Sequence, residues 1–242
     1  MNQFLMLPMS FFSDLGAEFY QSFVEKHRYL YLVNGLANTL LITVFAVLLG
    51  VVLGTLVALV KVAHGNDPKK FRAANGVCSL YLAVIRGTPV VVQLMIMYYV
   101  ILSSTNVDKI IAAILAFGIN SGAYVAEVIR SGIQSVDRGQ IEAGRSLGLS
   151  QRTTMVKIVF PQALKNVLPA IGNEFIALLK ETSVAGYIGI QDLTKGGDVI
   201  RSITYLAFTP LLTTAAIYLV IVIGLTTLLT RLERRLHRSD YR

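Results

Sequence analysis

Cysteine is nearly missing: Cys78 is the only one in 242 residues. That excludes an internal disulfide and any cluster of thiolate metal ligands. Histidine is almost as scarce, and His27, His64 and His237 stand far apart in flanking segments, so no ligand set is visible. No Gly-x-x-x-x-Gly-Lys-Ser/Thr stretch occurs, which excludes ATP binding and hydrolysis through a phosphate loop. Charge is sparse too, at 15% of residues, where a soluble domain carries about a quarter. Residues 1–30 lack a compact apolar block ahead of a small-residue cleavage site, so a cleaved signal peptide is not expected. Their Asp14, Glu18, Glu25, Lys26 and Arg28, set among aromatics, read instead as an amphipathic interfacial segment over 1–33.

What is present is apolar: 54% of the chain is hydrophobic. Leu40–Val60 and Ser202–Thr230 contain no charge, and each is long enough to cross a hydrocarbon core of about 30 Å at about 1.5 Å per residue. The pattern predicts an all-α polytopic membrane protein with five transmembrane helices: about Leu36–Val62, Pro89–Leu102, Lys109–Ser131, Pro161–Glu181 and Ser202–Leu232. Phe71–Ile85 reads as an elbow helix entering the membrane obliquely, broken at Gly87 and Pro89 because proline removes a donor and clashes with the preceding turn. The transmembrane domain spans 34–232, and a basic tail occupies 233–242.

The net charge is +8. Nucleic-acid binding is one source of such an excess, but the placement of the cations fits membrane orientation. With the tail inside, the inner loops hold Lys61, Lys69, Lys70, Arg72, Arg130, Arg138, Arg145, Arg152, Lys157 and Lys165, and the outer loops hold only Lys26, Arg28, Lys109, Lys195 and Arg201. That bias predicts an N-out, C-in chain. No internal repeat is evident, so any symmetry must come from a second subunit. The Gly50/Gly54 and Gly118/Gly122 spacings would let helices approach closely, within one subunit or between two.

The orientation puts residues 137–160, between spans 3 and 4, in the cytoplasm. Asp137 can cap a helix beginning near Arg138, Gly148 can stop it with a positive φ, and Ser150 can cap the next. Pro161 then sets the angle at which the fourth span enters. A polar helix there faces no lipid and has no core to join, so it reads as a docking element. Glu142 has two readings: a solvated acid stabilised by the helix dipole, or a residue of the docking surface.

Polar groups within spans are costly and are functional candidates by default. Asn120, Tyr124 and Glu127 share a helical face, with Ser121 beside them. Interhelical hydrogen bonding would also explain that stripe, and Glu127 is close enough to Arg130 for a local ion pair. Glu174, Lys180, Glu181, Thr182 and Ser183 follow in the fourth span and its outer end, and Arg86 ends the elbow. A zwitterionic amino acid needs a cation for its carboxylate, which Arg86 or Lys180 could supply. It needs an acceptor for its ammonium, which Glu174 or Glu181 could supply. The glycines Gly186, Gly189, Gly196 and Gly197 mark an outer segment between spans 4 and 5.

Four motifs in order carry a family resemblance. They are Arg86-Gly87-Thr88-Pro89, Asn120 through Glu127, Glu142-Ala143-Gly144 with Gly148 and Pro161, and Lys180-Glu181-Thr182-Ser183. Together they resemble permease subunits of type I ABC importers, the histidine, glutamine and arginine branch. Gly144, where many members have alanine, and Glu181, where aspartate is common, depart from the pattern. The resemblance implies a multi-pass subunit of the bacterial cytoplasmic membrane that is not itself an enzyme. It implies that Glu142, Ala143, Gly144, Arg145 and Gly148 couple to an ATPase. It also implies two ATPase subunits carrying ATP and Mg, with no cofactor in this chain. A second permease subunit, identical or paralogous, and an extracytoplasmic amino-acid-binding protein complete the assembly, with lipid around it and no nucleic acid. An ion-gradient-driven secondary transporter is the competing reading, and a non-transporting membrane scaffold is a third, which leaves Glu174 and Lys180 unexplained.

Overall fold

The computed structural model describes residues 15–236. Asp14, His237 and most of the basic tail lie outside them. A wide turn at Tyr20–Val24 and a tight one at Glu25–His27 lead into helix α1, Tyr29–Asn66. The elbow follows as α2, Arg72–Gly87, and α3, Val90–Ile96, with α3 extended by one wide turn to Ile101. Next come α4, Lys109–Gln134, α5, Arg138–Ser146, and α6, Gln151–Thr154, which runs through a wide turn at Met155–Val159 into α7, Phe160–Glu181. A tight helical turn at Thr182–Ile188 precedes α8, Leu193–Thr204, and α9, Phe208–Leu236, completes the described chain. No strand occurs among the described residues.

Among the described residues, three helices are long and apolar enough to cross a membrane: α1, α4 and α9. The elbow pair, bent by 110° between α2 and α3, brings the count to four if it acts as one span. The bend falls at Thr88 and Pro89, where the Gly87–Pro89 motif leads one to expect it. Helix α7 is more polar, its 22 residues including Lys165, Glu174, Lys180 and Glu181. Helix α1 begins at Tyr29, so the expected edge of an interfacial segment at 33 falls inside it. At about 1.5 Å per residue, its 37-residue candidate span measures about 55 Å, well beyond a hydrocarbon core.

One boundary differs from expectation. The last span starts at Phe208, not Ser202. Ser202–Thr204 end α8, Tyr205 turns the chain in the left-handed region at φ 58°, and Pro210 sits in the first turn of α9. Residues 202–207 are all uncharged, so hydropathy alone runs straight across the break.

Helices α1 and α4 lie along one another, and glycines set their separation. A Cβ on Gly50 would sit 2.8 Å from Ser121 Oγ, and one on Gly54 would sit 2.7 Å from Val125 Cβ. Gly118 meets Leu49 from the opposite side. Both glycine spacings therefore serve packing within this subunit. Ile42, Ala46, Leu94, Ala113, Phe117 and Leu178 fill the core where α1, α3, α4 and α7 converge. Helix α8 crosses close to α1: a Cβ on Gly196 would lie 2.5 Å from the Tyr31 carbonyl oxygen. Thr39 Oγ1 accepts from Leu193 N at 3.1 Å, and Asn38 Nδ2 donates to the Gln191 carbonyl at 2.9 Å.

Candidate functional site

The segment between α4 and α7 is built by its own capping residues. Asp137 Oδ1 accepts from Gly139 N at 2.6 Å and starts α5. At the other end Gly148, at φ 81°, donates to the Arg145 carbonyl, and Leu149 N donates to that of Gly144, the paired bonds of a glycine-terminated helix. Ser150 Oγ then accepts from Thr153 N at 3.1 Å and starts α6. One face of α5 is held. Ile141 packs with Val136, Val159 and Ala163, and Gly144 is buried where a Cβ would meet Ile158 and Thr154 at 3.0 Å. Glu142, Ala143 and Arg145 are exposed, and Leu147 is 82% exposed. Gly144 therefore makes the seat of α5, while Glu142, Ala143 and Arg145 stand on its free surface. The apolar residues Ile141 and Leu147 part company: one enters the packing and the other does not.

Beside α5, the ends of α4 and α7 are tied to one another. Asn166 Nδ2 on α7 donates to Ser135 Oγ at the end of α4 (2.8 Å), and a Cβ on Gly132 would strike Val167. Ile141 of α5 packs into the cluster of Ile133, Val136, Val159 and Ala163 at this junction.

A polar seam links the elbow to α4. Gln93 Nε2 donates to the Ile85 carbonyl (2.7 Å) and to Thr88 Oγ1 (2.7 Å), and its Oε1 accepts from Asn120 Nδ2 at 2.9 Å. The sequence reading missed Gln93. Its signal was a lone amide in the apolar run Val90–Ile96, four residues after the helix-breaking Pro89. Farther along α4, Glu127 bonds Arg130 at 2.7 Å and lies 4.0 Å from Arg86, whose guanidinium stands 5.6 Å from the Tyr124 ring centroid. Tyr124, Glu127 and Arg86 thus form one cluster, while Asn120 joins the elbow through Gln93. Tyr81 Oη donates to the Ile119 carbonyl at 2.5 Å, tying α2 to the same stretch of α4.

The remaining candidates lie outside that cluster. Ser121 Oγ is buried without a hydrogen-bond partner among the described residues. Half-buried Glu174 on α7 approaches Ser121 and Glu181. Lys180 is exposed, and the buried Thr182 hydroxyl donates to the Leu179 carbonyl at 2.8 Å, closing the end of α7. Ser183, with Gly186, Asp192 and Lys195, borders an open cavity of about 360 Å³. A larger one, about 680 Å³, lies at the start of α4 among Asn38, Tyr98, Lys109 and Gln191. Asp192 caps α8, accepting from Thr194 N and Lys195 N, while burial pushes its carboxyl above the usual range. Hydrogen bonds from Lys195 and Arg201 hold Asp198 below it.

With this geometry in place, comparison with known proteins is direct. A family model described as the binding-protein-dependent transport system inner membrane component matches residues 50–238. The chain belongs to that family. It is accordingly a permease subunit of a transport system, as its ordered motifs lead one to expect. The arginine transport system permease protein ArtQ of Bacillus subtilis is 38% identical over 212 residues, covering 87% of this chain and 94% of the relative. The glutamine transport system permease protein GlnP of Escherichia coli K12 is 37% identical over 208 residues, 85% of this chain and 92% of the relative. A crystal structure of an amino acid ABC transporter with histidines aligns at TM-score 0.80 and 43% identity, over 88% of this chain and 98% of that one. An inward-facing MetNI methionine transporter aligns at TM-score 0.71 with 23% identity, over 86% and 96% respectively, and shows the shared fold. These permeases are transport subunits, and this member of the family is likewise a translocating subunit.

Proposed function

We propose that this chain is the permease subunit of an ATP-driven importer of polar or basic amino acids in the bacterial cytoplasmic membrane. In this reading it crosses the membrane five times, N-out and C-in, with the elbow pair and α7 each making one crossing. Two ATPase subunits carrying ATP and Mg, a second permease subunit and an extracytoplasmic binding protein complete the assembly. The observation that carries the reading is α5: a capped helix with Glu142, Ala143, Arg145 and Leu147 facing outward, seated at the junction of α4 and α7. An ATPase bound there would drive both helices as one lever. ATP must favour one permease state by about 5.5 kcal/mol to invert a population from 1:99 to 99:1.

The substrate path follows the polar groups that the apolar helices would otherwise lack. Arg86 or Lys180 is the cation offered to a carboxylate, Glu174 or Glu181 is the acceptor for an ammonium, and Glu127 stands on the path paired with Arg130. Asn120, Ser121, Tyr124, Thr182 and Ser183 line or support that path. The test is uptake of radiolabelled arginine, glutamine and histidine into vesicles holding the chain with and without its ATPase. Uptake that requires both ATP and the ATPase is expected. Uptake that follows an ion gradient and ignores ATP would establish the secondary transporter instead.

A further inference from the structure

The connector between α1 and α2 carries three cations against one carboxylate over residues 67–72. Lys70 pairs with Asp67 at 3.6 Å, and Asp67 Oδ1 also accepts from Lys69 N at 3.1 Å. The side chains of Lys69 and Arg72 have no carboxylate partner among the described residues. With His64, Pro68 and Asn75 they line an open cavity of about 630 Å³. His64 Nδ1 lies 2.9 Å from the Lys70 carbonyl. A carbonyl only accepts, so Nδ1 carries the proton there and ties the connector back onto the end of α1.

The element next to this cavity is built for lipid. Phe71 holds a left-handed backbone at φ 53°, which a bulky residue adopts only where its surroundings demand it, and its ring is exposed. Val77, Leu80 and Val84 follow on one face of α2, all exposed, at i, i+3 and i+7. An amphipathic helix of this kind rests its apolar face among acyl chains at headgroup depth. Its N-terminal end opens onto the basic cavity.

From this juxtaposition we infer that His64, Lys69, Arg72 and Asn75 form a binding site for the phosphodiester of an anionic phospholipid, whose acyl chains lie along Phe71, Val77, Leu80 and Val84. Arg72 supplies a planar fork suited to phosphate oxygens, Lys69 a point charge and Asn75 a neutral donor. Free inorganic phosphate offers the same oxygens but nothing to the apolar face, and the continuity of that face with the cavity favours the lipid.

The test uses the full-length chain extracted from vesicles of phosphatidylcholine containing about one-quarter phosphatidylglycerol, with retained lipid counted by native mass spectrometry. The wild type is expected to retain phosphatidylglycerol in preference to phosphatidylcholine. Lys69→Gln/Arg72→Gln is expected to lower that retention roughly twentyfold, and Lys69→Gln alone by about fivefold. Arg234→Gln/Arg235→Gln removes equal charge elsewhere and is expected to leave it unchanged. Matching melting curves in phosphatidylcholine alone establish that each variant folds, and Lys69→Gln decides the question if the double variant does not. Equal retention of both lipids by the wild type, or no loss in the variants, overturns the site. Inorganic phosphate that stabilises the chain in phosphatidylcholine as strongly as phosphatidylglycerol does overturns the lipid assignment.

Discussion

Asn120 Nδ2 on α4 donates to Gln93 Oε1 on α3 at 2.9 Å, and the same Gln93 amide donates back across the elbow to Ile85 and Thr88. The break at Pro89 frees backbone carbonyls at the end of α2 that no later amide of that helix can reach. Gln93 satisfies two acceptors at the bend and fixes it against α4.

Gln93→Leu keeps the side-chain bulk and removes every one of these bonds. An interhelical hydrogen bond in a membrane protein averages about 0.6 kcal/mol, and stranded carbonyls add to that, so a loss of about 1–2 kcal/mol is expected. Thermal unfolding in detergent reads it, and a cycle with Asn120→Ala isolates the direct bond. An unchanged melting temperature would remove Gln93 as the clamp of the elbow.

Gly54→Ala brings a methyl group to 2.7 Å from Val125 Cβ and 2.8 Å from the Gly122 carbonyl oxygen. Alanine gains about 1 kcal/mol in helix propensity, while overpacking costs about 1–3 kcal/mol. Since one neighbour is backbone, which cannot turn aside, net destabilisation is expected. Melting equal to or above wild type would mean that α1 and α4 are not so close.

Glu142→Lys and Leu147→Ala alter the free face of α5. Because both positions are exposed, stability should stay within about 0.5 kcal/mol of wild type. Association with the ATPase, measured by co-purification, and ATP-driven uptake should both fall, more for Glu142→Lys. Normal coupled uptake in both variants would mean that α5 is no docking surface.

Asp192 caps α8 from a buried position. Thr194 N and Lys195 N bond different oxygens of the carboxylate, so Asp192→Asn keeps an acceptor for only one of them, while Asp192→Ala loses both, at a cost of about 1 kcal/mol or more. Burial raises the native carboxyl above its ordinary value, so the folded wild type holds its proton more tightly than the unfolded chain. The sign follows: wild-type stability falls as pH rises from the usual aspartate range through the raised value, then levels off. Relative to wild type, Asp192→Asn should therefore gain in melting temperature over that window, and a constant difference would refute the buried charge.

Much of the segment over residues 137–160 was readable in the sequence. Asp137, Gly148 and Ser150 are local devices, each acting on amides or carbonyls a few residues away, and each is found in its expected role. The elbow break was readable for the same reason, since Gly87 and Pro89 act on their own backbone. The junction at Ser202–Phe208 was not, because a helix can end inside an uncharged run without any change in hydropathy. Gln93 was invisible as a clamp, since its partners lie on two other turns of chain and one other helix.

The sequence by itself determined what is periodic and local: apolar helices, their caps and breaks, and four ordered motifs sufficient to point to the family. Only the tertiary structure decided which of those helices touch. It set Gly50 and Gly54 against α4, turned Gly144 inward and Leu147 outward, and joined Arg86 to Glu127. The reason is geometric. A cap depends on the next turn of the same chain, whereas a partner dozens of residues away depends on helix packing, which spacing along one helix does not encode.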